Sequence, residues 1–225
     1  MDNARPELTL QRSDGDQTHV FNFNGVYQLP FGKGRRFLSQ GGIIDKIFGG
    51  WEISGLMNLG SGAPISFVDP RGTFNTAARS ARQPATSTLS PAEIQRLVGI
   101  FERDGKIYFI DPSIINPLNG RAANGFGADT FTGQVFFNNG PGETGNIPLT
   151  IINGPRYFRV DTALLKNIRF NERMRVQIRA EAFNLFNTVN LYNNTQVASI
   201  NSTTFGQITS AGDPRVIQFA FRFEF

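Results

Sequence analysis

The sequence predicts an all-β chain of the transmembrane antiparallel β-barrel class, present as about five long strands with long outer loops. Three observations carry this prediction. Apolar residues recur at every second position in five segments, tight turns alternate with long connections between those segments, and the composition favours strands and turns. Phe occurs 22 times, and Gly and Pro number 24 and 12, in a chain of 225 residues.

Charge and cysteine content exclude several classes of function. The 22 Lys and Arg residues and 18 Asp and Glu residues give a net charge of +4, but the charges are scattered, so we expect no nucleic-acid partner. Because cysteine is absent, disulfides and thiolate metal sites are excluded. No apolar run approaches the ~18 residues of a membrane-spanning helix, and the first residues do not read as a signal peptide.

Two strands are predicted early in the chain, at 18–31 and 50–68, because apolar residues alternate there with polar ones. The apolar positions are Phe21, Phe23, Tyr27, Leu29 and Phe31 in the first strand, and Trp51, Ile53, Met57 and Leu59 in the second. The connection 35–49 has the apolar spacing of one turn of amphipathic helix, which we expect near a membrane interface. Its apolar residues are Ile43, Ile44, Ile47 and Phe48.

Residues 69–155 are predicted to form a long outer loop, because prolines are scattered through them and no sustained periodicity appears. Two short elements are expected inside this loop. Ser90 and Glu93, with proline between them, have the spacing of a capping box, which predicts a short helix through about Val98. Lys106–Ile110 is predicted as a small strand beside that helix.

The most regular segment is a hairpin, predicted as strands 156–170 and 173–187 joined by a tight turn at Asn171 and Glu172. One face of both strands is apolar and the other is charged. Two residues interrupt the apolar face. We expect Lys166 to extend to the rim of the membrane, and Asn184 to mark a bulge or the opposite rim.

The last predicted strand covers 215–225, and its apolar face is the most pronounced in the chain. The apolar positions are Ile217, Phe219, Phe221, Phe223 and Phe225. At about 3.3 Å per residue this strand is roughly 36 Å long, which suffices, when tilted by about 45°, for the ~25 Å apolar band of an outer-membrane barrel. The alternative is an ordinary core strand of a soluble sandwich.

The charged face of the last three strands is predicted to face the barrel lumen. Its residues are Arg159, Asp161, Arg175, Arg179, Glu181, Arg222 and Glu224. They could line a substrate path, or they could form a charge ladder that keeps the interior wet and packs against a plug. The ladder is favoured, because neighbouring strands can pair charges of opposite sign.

Several segments together resemble the C-terminal barrel of Oar-like TonB-dependent outer-membrane receptors. They are the hairpin 161–187, the end 205–225, and Tyr27–Gly34 followed by Gly49–Gly55. The resemblance implies a barrel of about 22 strands around a plug in the bacterial outer membrane, and TonB-driven import of a substrate too large or too scarce for porins. It also implies that Phe221, Phe223 and Phe225 form the signal read by the barrel-assembly machinery.

Residues 1–225 are accordingly expected to be the C-terminal segment of such a receptor barrel. The sequence contains no plug domain or TonB-contacting segment, so contacts with a plug and with TonB would run through a missing N-terminal part. Five strands cannot close even a barrel of about eight strands, and open edges in lipid leave backbone groups unsatisfied. We therefore expect a fragment that contacts outer-membrane lipid and that aggregates when expressed alone in water.

No enzymatic activity and no cofactor or metal are expected. His19 is the only histidine and has no sequence partners for catalysis or metal binding, and no nucleophile-elbow motif occurs. The competing interpretation is a secreted or surface all-β binding module, in which the long loop of a sandwich holds a carbohydrate. The two interpretations differ in where the final phenylalanines lie, because a sandwich buries them in protein and a barrel exposes them to lipid.

Overall fold

The computed structural model describes residues 12–13, 15–73, 83–171, 173–192 and 197–225. These residues fold into two compact units. The first, called the sheet unit, contains His19–Gly60, Tyr157–Asn190 and Gly212–Phe225. The second, called the inserted unit, contains Ser61–Arg156 and Leu191–Ala211 together with the described residues before His19.

The described residues form fifteen strands, numbered along the chain. They are β1 (Val20–Gln28), β2 (Trp51–Gly60), β3 (Pro64–Val68), β4 (Thr86–Ser87), β5 (Val98–Arg103), β6 (Lys106–Ile110), β7 (Phe136–Phe137), β8 (Ile152–Asn153), β9 (Tyr157–Arg169), β10 (Arg175–Phe183), β11 (Leu191–Tyr192), β12 (Val197–Ser199), β13 (Gln207–Ile208), β14 (Ser210–Ala211) and β15 (Val216–Glu224). The α-helices are α1 (Gly42–Phe48) and α2 (Pro91–Arg96), and Pro112–Ile114 is a 3-10 turn. No helix among the described residues is long and apolar enough to cross a membrane.

The sheet unit is one antiparallel sheet of the five long strands, in the order β1-β2-β9-β10-β15. This order follows the chain, so each long strand pairs with the long strand before it. The predicted ranges 18–31, 156–170, 173–187 and 215–225 contain β1, β9, β10 and β15, respectively. The sheet is open: within the described residues, β1 and β15 each pair along one edge only.

The predicted strand 50–68 is wrong in its second half. β2 ends at Gly60, and the run that follows forms the separate strand β3, all five residues of which are buried in the inserted unit. Gly62 lies in the connection between the two strands, where a side chain does not fit because an added Cβ would lie 2.0 Å from the backbone oxygen of Gly154. Ile65 and Phe67 are therefore core residues of the inserted unit.

The inserted unit has its own hydrophobic core, so the prediction of a long loop over 69–155 needs correction for the residues described. Phe67, Phe136 and Phe205 are fully buried, and their ring centroids lie 4.9–5.7 Å apart. Small sheets surround them, in the orders β12-β3-β8, β13-β6-β5 and β4-β7. β12 pairs with β3 in parallel, which joins residues far apart in sequence. The prolines favour a loop in the sequence, but in the structure they begin helical turns or lie between short strands that a packed core holds together.

The two short elements predicted inside this region are present. Ser90 caps α2 as expected: its backbone N–H donates to Glu93 Oε2 at 2.8 Å, and its Oγ accepts from the Glu93 N–H at 3.4 Å. The Ser90 hydroxyl also donates to Glu93 Oε2, at 2.7 Å, and this bond together with the bond from the Ser90 N–H holds the pKa of Glu93 below its usual value. The helix ends at Arg96, slightly before the predicted end, and Lys106–Ile110 forms β6 with the predicted bounds.

The β9–β10 turn is tight, as predicted, although Glu172 lies outside the described residues. The Phe170 N–H donates to the Met174 carbonyl at 3.0 Å, which closes the hairpin. Asn171 Oδ1 accepts from the Met174 N–H at 2.7 Å and from the Arg173 N–H at 2.9 Å. An asparagine side chain that accepts backbone N–H groups in this way stabilises a turn without help from distant residues.

Candidate functional site

The strand register brings the predicted apolar faces of all five long strands onto one side of the sheet. Residues paired between neighbouring strands point to the same side, so each row of partners shows one face. One row reads Tyr27, Ile53, Leu164, Ala180 and Phe219. Phe219 and Phe221 are 78% and 69% exposed. This side, called the apolar face, is a continuous exposed surface of the kind that lipid covers.

The seven charged residues predicted to face the lumen all lie on the opposite side of the sheet, called the polar face. Their strand positions alternate with the apolar ones on β9, β10 and β15. Asparagine and glutamine extend the polar face onto the first strands, since Asn58 pairs with Arg159 and Gln28 pairs with Glu52. The structure thus places the seven residues on one surface, and their exposure to a lumen stays a prediction.

Each of the seven charges has a partner of opposite sign. Arg159 Nε lies 2.8 Å from Asp161 Oδ1, and Arg179 pairs with Glu181. Glu224 is shared, because one oxygen lies 2.9 Å from Arg222 Nε and the other 2.9 Å from Arg175 Nε. These side chains are partly exposed, so each pair contributes only about 0.2–1 kcal/mol. All seven charges are therefore paired, although four arginines share three carboxylates.

The pairing differs from the expected ladder in one respect. Only the Arg175–Glu224 pair joins neighbouring strands, whereas the other ion pairs join residues two apart on one strand. The register explains this, because Asp161 lies opposite Leu56 and Arg179 lies opposite Ala220. With no countercharge across the strand, each arginine folds back along its own strand.

Lys166 stands on the apolar face, and the structure shows how its charge is accommodated. Its Nζ lies 5.2 Å from the centre of the Trp51 ring and donates to the carbonyl oxygens of Ile47, at 3.0 Å, and Gly49. Trp51 and Lys166 are direct strand partners. The lysine thus reaches the carbonyl end of α1, in keeping with the expectation that it extends to a rim.

Asn184 ends β10 and ties three segments together. Its backbone has a positive φ of 52°, and its side chain donates to the carbonyl oxygens of Thr188 and Asp213, each at 3.0 Å. Its own N–H donates to Asp161 Oδ1 at 2.8 Å. Asp161 therefore binds both Arg159 and the residue that follows β10. Asn184 lies at the terminus of β10 and not at a bulge within the strand, and its position at the opposite rim stays a prediction.

Asn190 is a structural residue that the sequence interpretation missed. It is buried, and its side-chain amide accepts from the Phe158 N–H at 2.8 Å and donates to the Phe158 carbonyl at 2.9 Å. The Asn190 side chain thereby provides the two backbone hydrogen bonds that a neighbouring strand would otherwise provide at the start of β9. No signal in the sequence distinguishes it, because it stands in a run rich in asparagine and threonine.

Gly32 and Gly49, which lie in segments that carry the family resemblance, leave no room for a side chain. The Asp45 carboxylate accepts from the Lys33 N–H at 2.5 Å and sits against both glycines. A Cβ on Gly32 or Gly49 would lie 2.5 Å or 2.4 Å, respectively, from Asp45 Oδ1. The β1–β2 connection is thus a closely packed turn whose backbone admits no side chain at these points.

Potential metal ligands are not clustered in the part of the chain that the structure describes. Within those ranges no group of three or more His, Asp or Glu side chains is positioned to hold a metal ion. Asp69 is the buried carboxylate of the inserted unit. Burial raises its pKa, but bonds from Arg71 and Asn139 outweigh this effect and hold the pKa below its usual value.

Comparison with known proteins agrees with the two-faced sheet. The model of the family described as "Outer membrane beta barrel domain" matches residues 1–218. No curated protein and no solved structure matches the chain. The family match covers nearly all of the sequence and includes all the long strands except the end of β15. The chain belongs to the family of outer membrane beta barrel domains and resides in the bacterial outer membrane.

Proposed function

We propose that the chain forms part of the barrel wall of a TonB-dependent outer-membrane receptor that takes up a substrate, and that it has no enzymatic activity. One observation carries the proposal: a five-stranded sheet with a continuous apolar face on one side and charged residues on the other. Such a wall separates lipid from a wet interior. The resemblance to Oar-like receptors supplies the transport class.

The polar face supports a contact with a plug domain more than a substrate path. The seven charged residues named above are all paired, so they have little free charge to attract an ionic substrate. A folded domain can pack against them at a small desolvation cost, because paired charges are less costly to bury than isolated ones. We therefore assign substrate recognition to parts of the receptor outside this wall.

The competing interpretation as a soluble sandwich is disfavoured by the exposure of the last strand. A sandwich buries Ile217, Phe219 and Phe221 between its sheets. In the structure these side chains are more than half exposed. The same phenylalanines are proposed to contact lipid, and the barrel-assembly machinery is proposed to read Phe221, Phe223 and Phe225.

A genetic experiment tests the transport class. Strains of the native host that lack the gene, or that lack a functional TonB, are compared for depletion of nutrients from a complex medium. We expect the deletion strain to lose uptake of a nutrient that the TonB-deficient strain also fails to take up, and the restored gene to recover that uptake. Uptake that the deletion abolishes and loss of TonB leaves unchanged would contradict the proposal.

A further inference from the structure

The β1–β2 connection exposes an unusual concentration of apolar side chains. Within twenty residues, seven large hydrophobic side chains are more than a third exposed. They are Phe31, Phe37, Leu38, Ile43, Ile44, Ile47 and Phe48. Ile43 is 77% exposed, and no residue of α1 is buried. A surface of this kind needs a cover other than water.

The helix α1 holds its apolar side chains in a defined direction. At about 100° per residue, Ile43, Ile44, Ile47 and Phe48 fall within an arc of about 140°, and Asp45 and Lys46 fall outside it. The bond from the Lys33 N–H to Asp45 Oδ1 fastens the polar side of the helix to its own connection. The apolar side therefore points away from the residues that anchor the helix.

The helix adjoins the end of the apolar face. Trp51 Nε1 and Lys166 Nζ both donate to the Ile47 carbonyl at 3.0 Å, and both residues stand on the apolar face. Lys46 Nζ lies 5.5 Å from the ring centre of Phe170, the residue after β9. Tryptophan and lysine at the end of a lipid-facing surface are typical of the membrane interface. The apolar arc of α1 thus continues the lipid-facing surface into the interfacial region.

Positive charge surrounds a cavity at the same end of the sheet unit. The cavity is lined by Lys33, Arg35, Lys46 and Arg169, and by Arg175, which is already paired with Glu224. Among the residues that the structure describes, none of the first four has a carboxylate within ion-pair distance. Two acids, Asp45 and Glu52, also line the cavity, so its five cations leave a net charge of +3.

We propose that this end of the sheet unit binds the phosphate-bearing headgroup of an anionic phospholipid. Lys33, Arg35 and Lys46 of the β1–β2 connection contact the headgroup, while the apolar arc of α1 lies among the upper acyl chains. Arg169 and Arg175 line the cavity from the polar face and are not part of this contact. A phospholipid is favoured over a free phosphate ion because one molecule satisfies both surfaces, the cations and the exposed apolar side chains beside them. The inference depends on the outer-membrane location and not on the proposed uptake function.

Trp51 provides the measurement, because it is the only tryptophan of the chain and its ring lies between α1 and Lys166. The chain is reconstituted into lipid vesicles that contain brominated phosphatidylglycerol or, at the same fraction, brominated phosphatidylcholine. We expect the anionic lipid to quench Trp51 fluorescence at least about twofold more strongly, since each cation near an anionic surface favours its lipids by up to about fivefold. A Trp51→Phe variant gives the background signal.

Charge substitutions test the role of the cavity. The triple variant Lys33→Gln/Arg35→Gln/Lys46→Gln is expected to quench equally with the two lipids. The matched control Arg96→Gln/Lys106→Gln/Arg121→Gln removes the same charge from exposed positions of the inserted unit and is expected to keep the preference. A variant with Lys33→Arg and Lys46→Arg is expected to keep it also, which separates loss of charge from misfolding.

Three results would overturn the inference. They are equal quenching of the unaltered chain by both lipids, an unchanged preference in the triple variant, and equal loss of preference in the triple variant and its matched control. Inorganic phosphate separates a lipid site from a small-anion site. If phosphate abolishes the preference where chloride at equal ionic strength does not, the cavity binds free anions and the lipid assignment fails.

Discussion

The lipid-facing assignment of β15 predicts a large penalty for a charge at Phe219. This residue lies near the middle of the strand, is 78% exposed, and pairs with Ala180, which is too small to cover it. An arginine at the bilayer midplane of a barrel wall costs about 2–4 kcal/mol. We therefore expect Phe219→Arg to lower the equilibrium ratio of folded to unfolded protein by roughly 30- to 700-fold.

A neighbouring residue provides the matched control. Gln218 lies on the polar face, and its side chain donates to Glu181 Oε2. Gln218→Arg adds the same charge one position away, but the new guanidinium can pair with that carboxylate. We expect its effect to stay within about 1 kcal/mol. The contrast between the two variants isolates the face of the strand from the general effect of an added charge.

Urea denaturation of the protein in lipid vesicles measures both variants, with protection of the sheet from protease as the readout of the folded fraction. Phe223→Arg, nearer the end of β15, is expected to cost less than Phe219→Arg, because the penalty falls toward the interface. If Phe219→Arg and Gln218→Arg shift the denaturation midpoint equally, the apolar face does not contact lipid and the two-faced interpretation is refuted.

Three further predictions concern stability. Gly50→Ala is expected to destabilise the protein by about 2–4 kcal/mol, because the φ there is 69° and a backbone oxygen would lie 2.3 Å from the added methyl. Gly34→Ala has open space around the added methyl and should cost only about 1–2 kcal/mol. Urea denaturation in vesicles compares the two variants. Because the pKa of Asp69 is lowered in the folded chain, its contribution to stability is full above 3.8, its value before folding, and is lost as the pH falls through the lower folded value. Hydrogen exchange of the inserted unit should show this loss as the pH falls. The Asp69→Asn variant is expected to be less stable by about 1.5–3 kcal/mol at neutral pH, because it loses hydrogen bonds to a charged acceptor, and its stability should not show this pH dependence. Phe67→Ala in the buried core should lower the free energy of unfolding of the inserted unit by about 3–5 kcal/mol, as measured by hydrogen exchange. Phe126→Ala, at an exposed position, should change hydrogen exchange little. Equal effects of the two variants would contradict the proposed core.

The long strands were predictable because a strand buries or exposes residues with a period of two that is visible locally. Phe219 and Phe221 identify their face without knowledge of any partner. The same parity assigned the charged residues, such as Arg159 and Asp161, to the opposite face. The capping box at Ser90 was also a local signal, since its bonds join residues three positions apart.

The inserted unit was not predictable, because its contacts join residues distant in sequence. Val197 pairs with Ser66, and Phe205 packs on Phe67. Its strands include several of only two residues, which are too short to show any periodicity. Prolines between such strands look the same in the sequence as prolines in an open loop.

The sequence by itself determined the two faces of each long strand, because the alternation of side chains is a property of the extended backbone. Only the tertiary structure decided which side chains pair within the polar face, because that depends on register. Arg175 meets Glu224 across strands, whereas Arg179 lies opposite Ala220 and turns to Glu181. The tertiary structure also decided that Ile65 and Phe67 belong to a packed core, because the burial of this core depends on residues more than a hundred positions away, such as Phe205.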